Sequence, residues 1–196
     1  NAGALTKKDF KFAKNDKKKS MAPEGDGDAT LKGGKGHDIL KGSGHDDRID
    51  GRAGDDKLVG RDGDDALLGG KGDDVLIGGK GDDTLTGGAG RDSFFFKSAK
   101  DGMDTITDFT AGVDHLRISA GKFGGGLVAG ETVTLVKLAD VAGYVDAGSK
   151  GVFLFDTAGQ DAGTIYWDVN GGSSKDAVAI AKISGTVLFD TDFTLV

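Results

Sequence analysis

The chain has 196 residues, a net charge of −7, and 36 glycines against one proline and no cysteine. Disulfides and thiolate metal sites are thereby excluded, and so is collagen, because the glycines lack a three-residue period. An acidic balance with 7% aromatic residues argues against nucleic acid as a partner, and no run of about 18 apolar residues is present to form a transmembrane segment. Large apolar residues are unevenly placed: all but two of the eleven phenylalanines follow residue 92, while residues 24–92 hold little beyond a regular leucine and isoleucine series. The first half therefore needs something besides hydrophobic burial to hold it together.

Residues 1–22 carry Lys7, Lys8, Lys11, Lys14, Lys17, Lys18 and Lys19, the composition of a solvated basic linker. Within them Leu5, Asp9, Phe10 and Phe12 repeat the spacing of Leu188, Asp192, Phe193 and Leu195. Residues 1–13 are accordingly expected to be the tail of a preceding homologous module, and the chain an excerpt from a tandem array.

The next stretch falls into frames of nine: GGKGHDILK (33–41), GSGHDDRID (42–50), GRAGDDKLV (51–59), GRDGDDALL (60–68), GGKGDDVLI (69–77), GGKGDDTLT (78–86) and GGAGRDSFF (87–95). The sixth position is always aspartate: Asp38, Asp47, Asp56, Asp65, Asp74, Asp83 and Asp92. The eighth is always large and apolar: Leu40, Ile49, Leu58, Leu67, Leu76, Leu85 and Phe94. EGDGDATLK (24–32) keeps Leu31 but has Ala29 at position six, and FKSAKDGMD (96–104) keeps only Asp101 there. A unit of nine is too short for a pair of helices and too rich in glycine for any helix.

This pattern resembles the RTX calcium-binding repeat over residues 24–104. The resemblance implies an all-β fold: a right-handed parallel β-roll of nonapeptide repeats at 23–104, followed by a β-rich capping region at 105–196. Six residues of each unit make a turn and three a short strand whose eighth position points inward. Two units complete a coil, so Asp38, Asp56, Asp74 and Asp92 stack on one side and Asp47, Asp65, Asp83 and Asp101 on the other. About six calcium ions are then expected, three per side. Calcium takes six to eight hard oxygen ligands, which carboxylates and carbonyls supply together. The family assigns ligand carbonyls to positions one, two and four, here Gly33, Gly34 and Gly36; Gly42; Gly51 and Gly54; Gly60 and Gly63; Gly69, Gly70 and Gly72; Gly78, Gly79 and Gly81; Gly87, Gly88 and Gly90. Glycine there also permits the positive φ of a tight turn. Asp101 and Asp104 match two acids that bind calcium after the last repeat in serralysin-type members. Frame two, with Gly44 and His45 at positions three and four, is expected to have a less secure turn. At position five, Asp46, Asp55, Asp64, Asp73 and Asp82 point away from the ion, as solvent-facing charges.

DGMDTITDFTAGVDHLRIS (101–119) is similar to the segment that closes the roll in serralysins, and apolar runs at 133–138, 152–155, 164–169 and 178–183 are strand-like. Asp168 and Asn170 open like an EF-hand loop but lack its later acids, so a turn is expected instead. The ending DTDFTLV looks like the uncleaved signal read by a type I secretion apparatus. His37, His45 and His115 have no zinc-ligand spacing, and there is no HExxH or GxSxG motif and no true Walker motif. The resemblance therefore implies a non-catalytic, secreted or cell-surface-associated module that folds on extracellular calcium and supports the export and stability of a larger protein. The alternative is the substrate-contacting part of an exported hydrolase or polysaccharide epimerase.

Overall fold

The computed structural model describes residues 10–12, 19–21, 27–139, 151–158, 160–170, 177–184 and 187–196. Short strands follow one another in chain order as β1 (Phe10–Phe12), β2 (Lys19–Met21), β3 (Thr30–Lys32), β4 (Asp38–Lys41), β5 (Arg48–Ala53) and β6 (Lys57–Asp62). They continue as β7 (Ala66–Lys71), β8 (Val75–Lys80), β9 (Thr84–Ala89), β10 (Ser93–Phe96), β11 (Asp104–Ile106) and β12 (His115–Ile118). Odd strands pair in parallel on one side and even strands on the other, which makes a parallel β-roll. The partners lie 18 residues apart, as in Leu40↔Leu58, Leu58↔Leu76 and Ile49↔Leu67, so two nonapeptides do form one coil.

Only a narrow core fits between two such sheets. Leu31, Leu40, Ile49, Leu58, Leu67, Leu76, Leu85 and Phe94 fill it, all but completely buried. Position nine is mostly less covered; Leu68 is 37% exposed. Ile77 breaks that pattern: it is buried, lining a small cavity with Phe95, Phe96, Lys97 and Asp101.

Glycine serves two separate purposes in the turns. At positions two and four of the frames from residue 51 onward the backbone takes positive φ, at Gly70 (114°) and Gly72 (120°) for example. Position one needs no positive φ; there the absent side chain makes room for a close approach, described below.

The parallel stack runs past residue 104, since β12 pairs with β10 through Leu116↔Phe94. It also begins inside the lysine-rich segment, where β1 pairs with β3 and β2 with β4. Phe10 stands opposite Thr30, a seventh-position residue, whereas Phe193 stands opposite Leu116, an eighth. The shared spacing of the two ends is thus not a shared register, and Leu5 and Asp9 lie outside the described residues.

Beyond the coils come α1 (Ala120–Phe123), β13 (Leu135–Leu138), β14 (Val152–Asp156), β15 (Thr164–Asp168), β16 (Val178–Ile183) and β17 (Phe193–Leu195). β14, β15 and β16 are antiparallel neighbours, and β16 joins the roll beside β11 at Ile106↔Ile183. Just after β15 Asn170 N donates to Asp168 Oδ1 (3.1 Å), and residues 171–176 lie outside the described residues. Phe153 packs against Trp167 (ring centroids 4.7 Å apart) and Phe193 (5.1 Å), with Phe123 edge-on to Trp167. This aromatic cluster is continuous with the core of the coils.

Candidate metal centre

The sixth-position aspartates form two buried columns. On one side Asp38, Asp56 and Asp74 each donate their backbone N–H to Oδ1 of the aspartate one coil on, Asp56, Asp74 and Asp92, at 2.7–2.9 Å. On the other, Asp47 and Asp65 do the same to Asp65 and Asp83 at 2.8 Å. Seven carboxylates in this sequence pattern are therefore 1–3% exposed.

Both columns continue differently from a strict count of nine. Asp83 donates to Asp104, not to Asp101, and Asp92 donates to Asp114. Asp101 sits at the third position of its turn, where its carbonyl accepts from Gly81 N (2.6 Å). The cause is an insertion of residues 96–98. Once these are skipped, AKDGMDTIT (99–107) restores glycine, aspartate and isoleucine at positions four, six and eight. Skipping Asp108 as well gives FTAGVDHLR (109–117) with Asp114 at position six. Asp108 itself accepts from Gly87 N (2.9 Å) and Gly88 N (2.8 Å). A scan allowing gaps would have put Asp104, already expected as a ligand, into the column and found Asp114; Asp108 carries no sequence signal.

The second carboxylate oxygens decide what the columns can hold. Oδ2 of Asp56, Asp65, Asp74 and Asp83 is buried with no hydrogen-bond partner. Leaving a buried acceptor unmet costs free energy, and a charged one costs more. These oxygens look onto the first glycine of the same frame. A Cβ added at Gly51 would lie 2.5 Å from Asp56 Oδ2 and 2.6 Å from the carbonyl oxygen of Gly69, one coil on. Gly33, Gly42, Gly60 and Gly69 show the same convergence, each with the aspartate of its own frame and the first-position carbonyl one coil on, so what sets the central frames apart is the unmet Oδ2. Carboxylate and main-chain oxygens thus meet at a small space that any side chain would fill. Among the described residues no three acidic or histidine side chains gather as a metal cluster. One carboxylate with carbonyls is a donor set for a hard cation with many oxygen ligands, so the residues fit calcium.

Burial raises the carboxyls strongly, to about 7 at Asp65 and Asp74 and about 6 at Asp56, Asp83 and Asp92. The neighbouring N–H bonds oppose that shift and the stacked carboxylates add to it. Asp104 is pushed to about 8, by burial first and Asp83 second. A divalent cation would relieve both causes.

The fifth-position aspartates are exposed, as expected, yet they also form a ladder. Asp64 N donates to Asp46 Oδ1 (2.8 Å), Asp73 N to Asp55 Oδ1 (2.9 Å) and Asp82 N to Asp64 Oδ1 (2.8 Å). It runs in the opposite sense to the inner one, each carboxylate capping the coil that follows. His37 joins its end through Asp55 N (3.1 Å) and His115 bonds to the carbonyl of Val113 (3.1 Å).

Residues 25–58 and 59–94 match the RTX calcium-binding nonapeptide repeat, described as four copies. No curated protein matches the chain. Among solved structures, the chain is similar to the solution structure of the AlgE6R3 subunit from the Azotobacter vinelandii mannuronan C5-epimerase. That match has 27% identity and covers 81% of this chain and 77% of that one, with a loose overall superposition (TM-score 0.30). The fold assignment accordingly stands on the strand pairing, and the family on the repeats. Residues 25–94 are RTX calcium-binding nonapeptide repeats.

Proposed function

We propose that the chain is a non-catalytic calcium-binding module whose roll folds on binding extracellular calcium, and which supports the export and stability of a larger secreted or surface-associated protein. The observation that carries this reading is the set of partnerless buried oxygens on Asp56, Asp65, Asp74 and Asp83, the first three beside first-position carbonyls. Asp92 and Asp104 extend the two columns, which gives about six ions, with the glycine carbonyls of positions one, two and four completing the ligand set. The ion neutralises the stacked carboxylates and fixes the turns; it has no redox or Lewis-acid role here.

Calcium then acts as a switch of folding. Extracellular modules bind at about 10⁻⁴–10⁻³ M. At a tenfold excess over such a constant each site adds about 1.4 kcal/mol, so about six add roughly 8 kcal/mol. At cytosolic calcium that contribution vanishes, and the chain stays threadable through a type I export channel that reads its C-terminal residues. Residues 105–196 serve as the apolar cap from which coils are added. Calorimetric titration of the chain should show about six ions. Replacing Asp56, Asp65, Asp74 and Asp83 together by asparagine should abolish most of that binding; full retention would refute the ligand assignment.

A groove of about 590 Å³ favours a second role, contact with an acidic polysaccharide. Arg61, Lys80, Lys97 and Lys122 line it with Phe95, against Asp62 and Asp101. Binding of uronate oligomers that is lost in K97E/K122E with calcium content unchanged would support it; no binding by the intact chain would reject it.

A further inference from the structure

The two columns do not offer the same thing along their length. In the first two frames the second carboxylate oxygen is already satisfied from within the chain. Gly34 N donates to Asp38 Oδ2 (2.7 Å) and Ser43 N to Asp47 Oδ2 (2.5 Å). Ser43 Oγ adds contacts to both oxygens of Asp47, at 3.2 and 3.1 Å, and holds the turn by accepting from His45 N (3.2 Å). The turn expected to be the least secure is therefore closed by a serine that no other frame has at position two. At the far end Thr110 N closes Asp114 Oδ2 in the same way (2.8 Å).

The cause lies in the second residue of each frame. In the central frames Arg52, Arg61, Gly70, Gly79 and Gly88 all have positive φ, while Gly34 and Ser43 do not. The central strands run on through that residue and pair with the next coil, as in Arg52↔Gly70 and Arg61↔Gly79. There the amide does not close the carboxylate: Oδ2 of Asp56, Asp65, Asp74 and Asp83 has no hydrogen-bond partner, and Gly88 N donates to Asp108 instead. β3 stops at Lys32 and β4 at Lys41, so the amides of Gly34 and Ser43, two residues on, remain free to turn inward.

We propose that Asp38, Asp47 and Asp114 are protein-closed ends of the ion columns that take no calcium, with the amide and hydroxyl of Ser43 standing where a cation stands in the central frames. This rests on the calcium reading above and limits it: the ions lie between closed ends, and the first coil is complete without them. The aspartate that a motif would count as a ligand is there a hydrogen-bond acceptor only.

The test is a count of ions on the full chain by calorimetry or mass spectrometry under native conditions. Asp38→Asn and Asp47→Asn should leave the number unchanged, whereas Asp65→Asn should lower it; equal losses would overturn the proposal. The converse variant is S43G/G44K/H45G, which turns GSGHDD into GGKGDD. It should gain one ion, and no gain would contradict the assignment. Should Asp47→Asn unfold the first coil, the number of ions held by the central frames still decides, since it is expected to stay the same. If the chain binds no calcium at all, the calcium reading fails before this one is reached.

Discussion

Frames 33–50 and frames 51–86 carry the same aspartate at position six and the same aliphatic residue at position eight, yet their carboxylates meet different fates. Asp38 and Asp47 are closed by amides four residues earlier, while Asp56, Asp65, Asp74 and Asp83 are left with a buried oxygen that nothing in the chain satisfies. The core does not distinguish the two regions: Leu40 and Leu76 are equally buried. What differs is whether the second residue of the turn pairs sideways with the next coil or turns inward to its own aspartate. A binding motif is thus a property of backbone direction as much as of side chains.

The largest break in that comparison is expected from Asp74→Ala against Asp38→Ala. Asp74 stands between Asp56 and Asp92, so its loss should release two ions and strand the buried amide of Asp56. Together these cost about 4–6 kcal/mol at a tenfold calcium excess. Asp38→Ala should cost about 1–3 kcal/mol, from the amide bonds alone. Thermal unfolding in millimolar calcium gives both values, and similar losses would erase the distinction.

Leu40→Ala and Leu76→Ala should each cost about 2–5 kcal/mol in the calcium-bound state, because the core is the same in both regions. Ile77→Ala should fall just below them and Leu68→Ala near zero, following burial. Denaturant unfolding orders the four, and a Leu68→Ala loss comparable to that of Leu76→Ala would show the register to be wrong.

Acidity should act on the centre in particular. Asp65 and Asp74 titrate in the folded, calcium-free state at about 7, above their unfolded value of 3.8. The folded state therefore holds more protons than the unfolded one between those values, and calcium-free stability falls as pH rises from about 4 to 7. Calcium must displace those protons, so its affinity should rise over the same interval and level off above about 8. Titrations at pH 5.5, 6.5 and 8 check this; affinity independent of pH would contradict the raised carboxyls.

A small gain is expected from Arg52→Gly. Arg52 holds φ at 75°, a left-handed value that costs a side chain about 1 kcal/mol, and its 4.0 Å pair with the half-buried Asp50 offsets part of that cost. The variant should be more stable by about 0.5–1 kcal/mol with its ion count unchanged, as a melting curve would show.

Much of this was legible in the sequence, because each repeat encodes its own turn and one core residue. Asp38 through Asp92, and Leu40 through Phe94, stand where their spacing puts them. The strict period failed where the chain inserts residues 96–98 and Asp108, so Asp104 takes the place expected of Asp101, and Asp114 follows unannounced. Composition also concealed β1 and β2 within the lysine-rich stretch, since their strand character comes from pairing with β3 and β4. Nor does any local signal tell that Ser43 closes a turn while Arg52 opens one. That depends on how far the strand keeps its pairing with the next coil.

The account turns on calcium completing the central coils, and far-UV circular dichroism of the whole chain during a calcium titration tests it most directly. A cooperative gain of β signal with a midpoint near 10⁻⁴–10⁻³ M, reversed by chelator and not produced by magnesium, is the predicted result. A β-rich spectrum for the roll that persists after exhaustive chelation and does not change on adding calcium would contradict it.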